Sequence, residues 1–297
     1  MPRGPSPFIK WAGGKSQLLN VLVKCTPQSF GAYYEPFLGG GALFFKLHSM
    51  GKIRRAVLSD ANKDLMNCYV AIRDNVEALL TELELLQKHA SEKDFFYEVA
   101  RPKFSKIWLK TGLEGDVAKA ALMLYLNKTC YNGLYRVNSD GAFNVPWGRY
   151  ENPHIYDEEN IREVCRVLRE GRTVLKCCDY KSAVADAKGK DFVYLDPPYQ
   201  PISTTSWFTQ YTSDSFTLED QRKLAKTFSD LDATGCYVLM SNSYSPLIDE
   251  LYKEYIDRGN AIKTLAARQI SCKGRGRGRI YEYIIFNKRL DGAPEGI

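Results

Sequence analysis

The residues best equipped for chemistry lie together at Asp196-Pro197-Pro198-Tyr199. Phe192, Val193 and Tyr194 lead into Leu195, and this apolar run predicts a buried strand ending at Asp196. Proline has no amide hydrogen to give a sheet and forces its predecessor away from helical angles, so the strand stops there. The corner offers one carboxylate (Asp196), one main-chain carbonyl (Pro197) and one aromatic ring (Tyr199). Two acceptors and a ring suit an exocyclic amine on a flat heterocycle. The acceptors take the two amine hydrogens and the ring stacks on the base. A base held in this way has to leave its duplex. The plain alternative is a strand-to-loop turn. It explains Pro197-Pro198 but not the acid before them or the tyrosine after them.

A second group has the texture of a cofactor site. Phe37-Leu38-Gly39-Gly40-Gly41 lacks the G-x-G-x-x-G spacing of a dinucleotide fingerprint. Its glycines still let a ligand approach the backbone at the start of the next helix. Asp60 follows Gly41 by 19 residues, at the end of the next predicted strand. An acid there can take the ribose hydroxyls of an adenosine-containing cofactor. A glycine turn with no ligand is the alternative. Asp179-Tyr180, after another strand, reads equally as a contact for the cofactor's adenine or as a helix N-cap. Trp11 and Lys15 flank Gly13-Gly14. The phosphate-loop spacing G-x-x-x-x-G-K-[ST] is absent, so an ATPase reading fails.

The elements that must position these groups alternate in type. Ala32–Phe37 and Ile53–Ser59 read as strands around a helix over Ala42–Met50, a β-turn-α-β unit with its ligand at the strands' carboxyl ends. From Asn62 to about Cys165 helical periodicity dominates, ending in an aromatic, Asn-rich segment from Tyr131 to Tyr150. Strands resume at Thr173–Cys177, Phe192–Leu195 and Tyr237–Met240, with helices over Leu218–Leu231 and Pro246–Tyr255. A last strand pair flanks the loop Lys273–Arg279. The reading is one α/β sheet domain over 1–61 and 166–297, interrupted by a mainly helical insertion over 62–165.

Composition narrows the class. With 297 residues, 44% hydrophobic, the chain can build a sizeable core. A formal charge of +6 is compatible with a polyanionic partner. None of the eight cysteines forms a C-x-x-C pair, and the three histidines are scattered, so a metal site is not expected. No apolar run reaches the roughly 20 residues of a membrane span, and no signal peptide is visible, which points to the cytoplasm.

Phe8-Ile9-Lys10-Trp11-Ala12-Gly13-Gly14-Lys15, Glu35-Pro36-Phe37-Leu38-Gly39-Gly40-Gly41, a helical insertion and Asp196-Pro197-Pro198-Tyr199 occur in that order. Tyr131-Asn132-Gly133-Leu134-Tyr135-Arg136, Phe143 to Tyr150 and Ser241-Asn242 stand between or after them. Together they resemble the Dam-type DNA adenine N6-methyltransferases (alpha group, D12 class) from about Pro7 to Asn287. The resemblance implies a Rossmann-like sheet that uses S-adenosylmethionine, with an inserted target-recognition domain. It implies Trp11 and Lys15 in the cofactor pocket and Glu35, Pro36, Phe37, Gly39 and Gly41 in its floor. Asp60 would take the ribose, and Asp196 would be the catalytic aspartate beside the cofactor's methionine part. Pro197 would supply its carbonyl and Tyr199 would stack on a flipped adenine. Lys10, Tyr131, Asn132, Leu134, Arg136, Pro146, Arg149 and Tyr150 would face duplex DNA.

The usual target in this branch is 5′-GATC, with Arg136 in the place of a guanine-reading arginine. A guanidinium can take guanine O6 and N7 together; a phosphate contact is the alternative. Arg275 and Arg277 would reach phosphates from a loop more basic than the family leads one to expect. Ser203–Phe216, with Trp207, Phe208 and Tyr211, reads either as a loop folding over the base or as a solvated loop with an aromatic anchor. A cognate restriction endonuclease acting separately is a possible partner. The rivals are an amine methyltransferase acting on RNA or on a glutamine amide, and a DNA-binding module that has lost catalysis.

Overall fold

The computed structural model describes residues 4–15, 17–109, 114–170, 172–199, 216–267 and 279–288. Its frame is a seven-stranded sheet. In chain order the strands are β1 (Tyr33–Glu35), β2 (Ala56–Asp60), β3 (Thr173–Cys177), β4 (Phe192–Leu195), β5 (Tyr237–Ser243), β6 (Ala261–Ala267) and β7 (Arg279–Phe286). Across the sheet they run β3-β2-β1-β4-β5-β7-β6. The first five are parallel, and β7 enters antiparallel between β5 and β6. This mixed α/β sheet agrees with the Rossmann-like methyltransferase fold.

Burial explains why these segments are strands. Every residue of β1 and β4 is buried, as a parallel sheet covered on both faces requires. One face packs against a core that includes Phe44 and Phe45 of α2 (Ala42–Ser49) and much of α3 (Lys63–Asp74). The other packs against Leu224, Phe228 and Leu231 of α9 (Leu218–Ala233) and Ile248 of α10 (Pro246–Leu251).

Chain order reverses where β1 meets β4, with Tyr33 paired to Phe192 and Tyr34 to Val193. A crevice opens outside the carboxyl ends of strands at such a switch point. Glu35 ends β1 and Asp196 follows β4, so the glycine turn and the double-proline corner emerge side by side. Asp191, 4% exposed, fixes this pairing at the opposite end of the strands. Its carboxylate accepts from the amides of Ala32 (2.8 Å) and Lys188 (3.0 Å).

Between β2 and β3 the described chain carries α3, α4 (Val76–Gln87), a π-helical turn at Phe95–Ala100, α5 (Arg101–Lys106), α6 (Val117–Thr129) and α7 (Glu158–Glu170), with a non-helical stretch over 134–157. The rest of the numbered helices are α1 (Leu19–Lys24), α8 (Tyr180–Val184) and α11 (Lys253–Asp257).

Several boundaries differ from the periodicity. Phe37 lies beyond β1, where Leu38 N–H bonds the Ser59 carbonyl and turns the chain. Ile53 lies before β2, which instead runs through Asp60. The helix expected over Pro246–Tyr255 breaks at Tyr252 into α10 and α11. β5 runs three residues past Met240 because β7 pairs with Ser241, Asn242 and Ser243.

Asp191→Ala leaves two amides without their acceptor. It should cost about 2 kcal/mol, read as a lower urea midpoint at unchanged m-value.

Candidate active site

Four chain segments converge at the switch point. Asp196 leaves β4, its side chain 16% exposed, and Lys15 reaches it from the N-terminal segment with Nζ 2.8 Å from Oδ1. The ammonium also donates to the Gly13 carbonyl (2.7 Å) and lies 4.7 Å from the centre of the Tyr199 ring. The Tyr199 hydroxyl donates to Glu282 Oε2 on β7 (2.8 Å). Lys15, Asp196, Tyr199 and Glu282 therefore form one charged cluster. Burial pushes the Asp196 carboxyl up to about 6, with the Lys15 ammonium pulling the other way.

The double-proline corner is braced from behind. Gln221 of α9 is fully buried and donates from Nε2 to the Pro198 carbonyl (3.3 Å). Asn242 of β5 donates to Gln221 Oε1 (3.1 Å). The brace holds the Pro198 oxygen, and the Pro197 oxygen takes no donor from this set.

The glycine turn faces this corner. Gly39 (φ +50°) and Gly41 (φ +68°) adopt angles that side chains rarely allow. A Cβ at Gly39 would lie 2.8 Å from Trp11 Cδ1, so the Trp11 indole packs directly on the turn. Asp60 holds the turn from below, accepting from Gly39 N–H (3.0 Å) and Asn62 N–H (2.9 Å). Phe37 stacks on Tyr180 (5.3 Å, 26°), with Phe216 edge-on to Phe37. Of the two readings of Asp179, the cap is the one seen: it accepts from the amides of Lys181 and Ser182 at the start of α8. Glu35 lies buried beneath, accepting from the Tyr33 hydroxyl (2.9 Å), and burial pushes its carboxyl up to about 8.

Comparison with known proteins shows the family of the chain. Residues 11–268 match the D12 class N6 adenine-specific DNA methyltransferases. The chain belongs to this family. A type II methyltransferase of Lactococcus lactis subsp. cremoris is 42% identical over 283 residues, 95% of each chain. One from Methanocaldococcus jannaschii is 40% identical over 294 residues, covering 95% of this chain and 98% of that one. A DNA adenine methylase of Escherichia coli is 32% identical over 283 residues, 95% of each chain. The protein is an adenine-specific DNA methyltransferase.

This D12 class methyltransferase carries a second surface beside the first. Tyr131 N–H bonds the Pro146 carbonyl (2.8 Å) and Gly148 N–H bonds the Thr129 carbonyl (2.8 Å), tying residues 129–136 to 144–150. The buried amide of Asn127 joins them to the N-terminal segment. Its Nδ2 donates to the carbonyls of Lys10 and Gly133 (both 2.8 Å), and its Oδ1 accepts from Lys10 N–H (3.0 Å). Lys10, Tyr131, Asn132, Leu134, Arg136, Pro146, Arg149 and Tyr150 are thereby gathered. Arg136 is exposed and donates from Nε to Asn144 Oδ1 (2.6 Å).

A cavity of about 560 Å³ opens here, lined by Lys10, Arg149 and Tyr150 together with Lys128 and His154. Lys128 and His154 were not picked out in the sequence. Lys128 lies in the last turn of α6, a helix that reads as core, and burial together with the Lys10 charge lowers its pKa. Arg275, Arg277 and residues 203–215 lie outside the described residues. Among the described residues no group of three His, Cys, Asp or Glu side chains gathers, and no helix is long and apolar enough to cross a membrane.

The Glu35 carboxyl makes a prediction about stability. Its ordinary pKa of 4.5 governs the unfolded chain and about 8 governs the folded one. Between these values the folded state keeps a proton that the unfolded state has released, so Glu35 costs stability progressively as pH rises. Glu35→Gln removes the titration. Relative to wild type it should gain on the order of a few kcal/mol between pH 5 and pH 8, read by thermal melts across that range.

Proposed function

We propose that this methyltransferase uses S-adenosylmethionine to methylate N6 of an adenine turned out of duplex DNA, within 5′-GATC. The observation that carries this reading is the meeting of the Asp196 corner with the Trp11-covered glycine turn at the switch point. The residues fit a nucleoside cofactor: a flat cradle at Gly39 and Gly41, an acid at Asp60, aromatic faces at Phe37 and Tyr180, and Trp11 and Lys15 opposite. S-adenosylmethionine supplies a methyl group on a sulfonium, ready for direct displacement.

The chain's own residues then do three things. Asp196 and the Pro197 carbonyl accept the two N6 hydrogens and draw that nitrogen towards tetrahedral geometry. This localises a lone pair otherwise spread into the ring. Tyr199, pinned by Glu282, offers a face for the base and fixes its plane. Positive charge grows on N6 as its bond to the methyl forms and the methyl–sulfur bond breaks, the ionised Asp196 lowers the energy of that state, and the surplus N6 proton then leaves to solvent. Asp196 must be deprotonated to act, so transfer should fall as pH drops below about 6.

Segment 62–165 serves as the target-recognition part in this reading, with Arg136 on guanine and Lys10, Arg149 and Tyr150 beside the backbone. A cytoplasmic, nucleoid-bound enzyme follows, with any cognate restriction endonuclease acting separately.

Transfer of labelled methyl to duplexes with GATC or a single changed base tests the reading. Label on GATC alone, recovered as N6-methyladenine, is the expected result. Asp196→Ala should lower transfer by about 10²-fold or more in a protein that melts normally. Arg136→Ala should cost about 1–3 kcal/mol of discrimination at one base pair. Equal weakening on every duplex would make Arg136 a phosphate contact. Label on RNA or on a glutamine amide instead of DNA would overturn the substrate.

A further inference from the structure

Tyr135 touches both halves of the site. Its ring packs on Trp11 (centroids 5.5 Å apart, 30° between planes), and its hydroxyl donates to Asp64 Oδ2 (2.7 Å) in the first turn of α3. Each contact leads back to the glycine turn. Trp11 lies on Gly39, whose N–H is held by Asp60. Asp60 also holds Asn62 N–H, and the Asn62 side chain caps α3 by accepting from Leu65 N–H (2.9 Å). Asp64 sits in that capped turn and is further fixed by buried Lys119, with Nζ 3.5 Å from Oδ1. Trp11, Gly39, Asp60, Asn62, Asp64 and Tyr135 thus form a closed ring of contacts. The residue after Tyr135 is Arg136.

We propose that Tyr135 is a positioning residue that couples the cofactor pocket to the base-reading segment, so that each ligand tightens the other through it. The inference rests on the functional reading above. A cofactor against the glycine turn presses on Trp11 and Asp60, and both bear on Tyr135 from different sides. Arg136 shares a peptide bond with Tyr135, so its backbone cannot shift without moving that ring or stretching the Asp64 bond. Phe143 packs edge-on against Tyr135 (6.3 Å), and Asn144 next to it receives the Arg136 guanidinium. The reader is therefore held at both ends by residues of one packed unit. Coupling between two ligands is reciprocal, so it can be measured from either side.

The test is calorimetric titration of the full chain with S-adenosylhomocysteine, alone and saturated with a GATC duplex or a duplex changed at one base. The readout is the ratio of affinities with and without duplex. The GATC duplex should tighten binding by about fivefold or more, and the changed duplex by less. Tyr135→Phe keeps the ring on Trp11 and drops the Asp64 bond; it should lose at least half of that factor. Tyr135→Leu, which also removes the ring, should bring the factor to one. Melting curves establish that each variant is folded, and the phenylalanine variant alone suffices if leucine is not tolerated. A wild-type factor of one with both ligands bound overturns the coupling and leaves the functional reading standing. So does an unchanged factor in the phenylalanine variant. Failure of the wild type to bind S-adenosylhomocysteine or any duplex overturns the functional reading and the coupling together.

Discussion

The parallel pairing of β1 with β4 is the constraint on which the site depends. These short strands are distant in sequence and fully buried. Because they run side by side in the same direction, both must end at the same edge of the sheet. The two motifs that follow them can only meet in the crevice there. The double proline stops β4 cleanly, and β1 ends at Glu35 just before Pro36. Asp191 fixes the pairing at the start of the strands, so their ends cannot slip past one another.

Charge in this crevice is arranged against its surroundings. Glu35, Asp60 and Asp196 are all pushed above their ordinary range by burial. The Lys15 ammonium reaches only the last of them directly and keeps it nearer its charged form. Peptide amides hold Asp60, and Glu35 is left to a tyrosine hydroxyl and the first turn of α2. Asp196, kept nearer its charged form beside a protonated Glu35, is the carboxylate that favours an incoming cation. A sulfonium and an amine gaining positive charge both meet that description.

Much of this could be read from residue types. The apolar run before Asp196, the glycines after Phe37 and the helical periodicity from Asn62 onward are local signals, and local signals locate elements. The exact strand ends could not be read, because β1 stops where a single amide turns to Ser59 and β5 extends where β7 happens to pair with it. The supports of the site were invisible for the same reason. Gln221 looks like one polar position on an amphipathic helix, and Glu282 like an ordinary alternation in a strand. Each gains its meaning from a partner more than twenty residues away. Lys128 was hidden because it lies in the last turn of a helix made mostly of core residues.

The N-terminal segment is not a strand, yet side-chain amides hold it as firmly as a neighbouring strand would. Asn160 brackets Ser6 from both its N–H and its carbonyl, and Asn127 does the same for Lys10. Both partners lie more than a hundred residues further along the chain. As the protein emerges from a ribosome, the segment bearing Trp11 and Lys15 is made first and finds its bonding partners late. Those partners, at 127 and 160, still precede Asp196 and Tyr199, so this wall of the crevice can be fastened before the corner that faces it has been made.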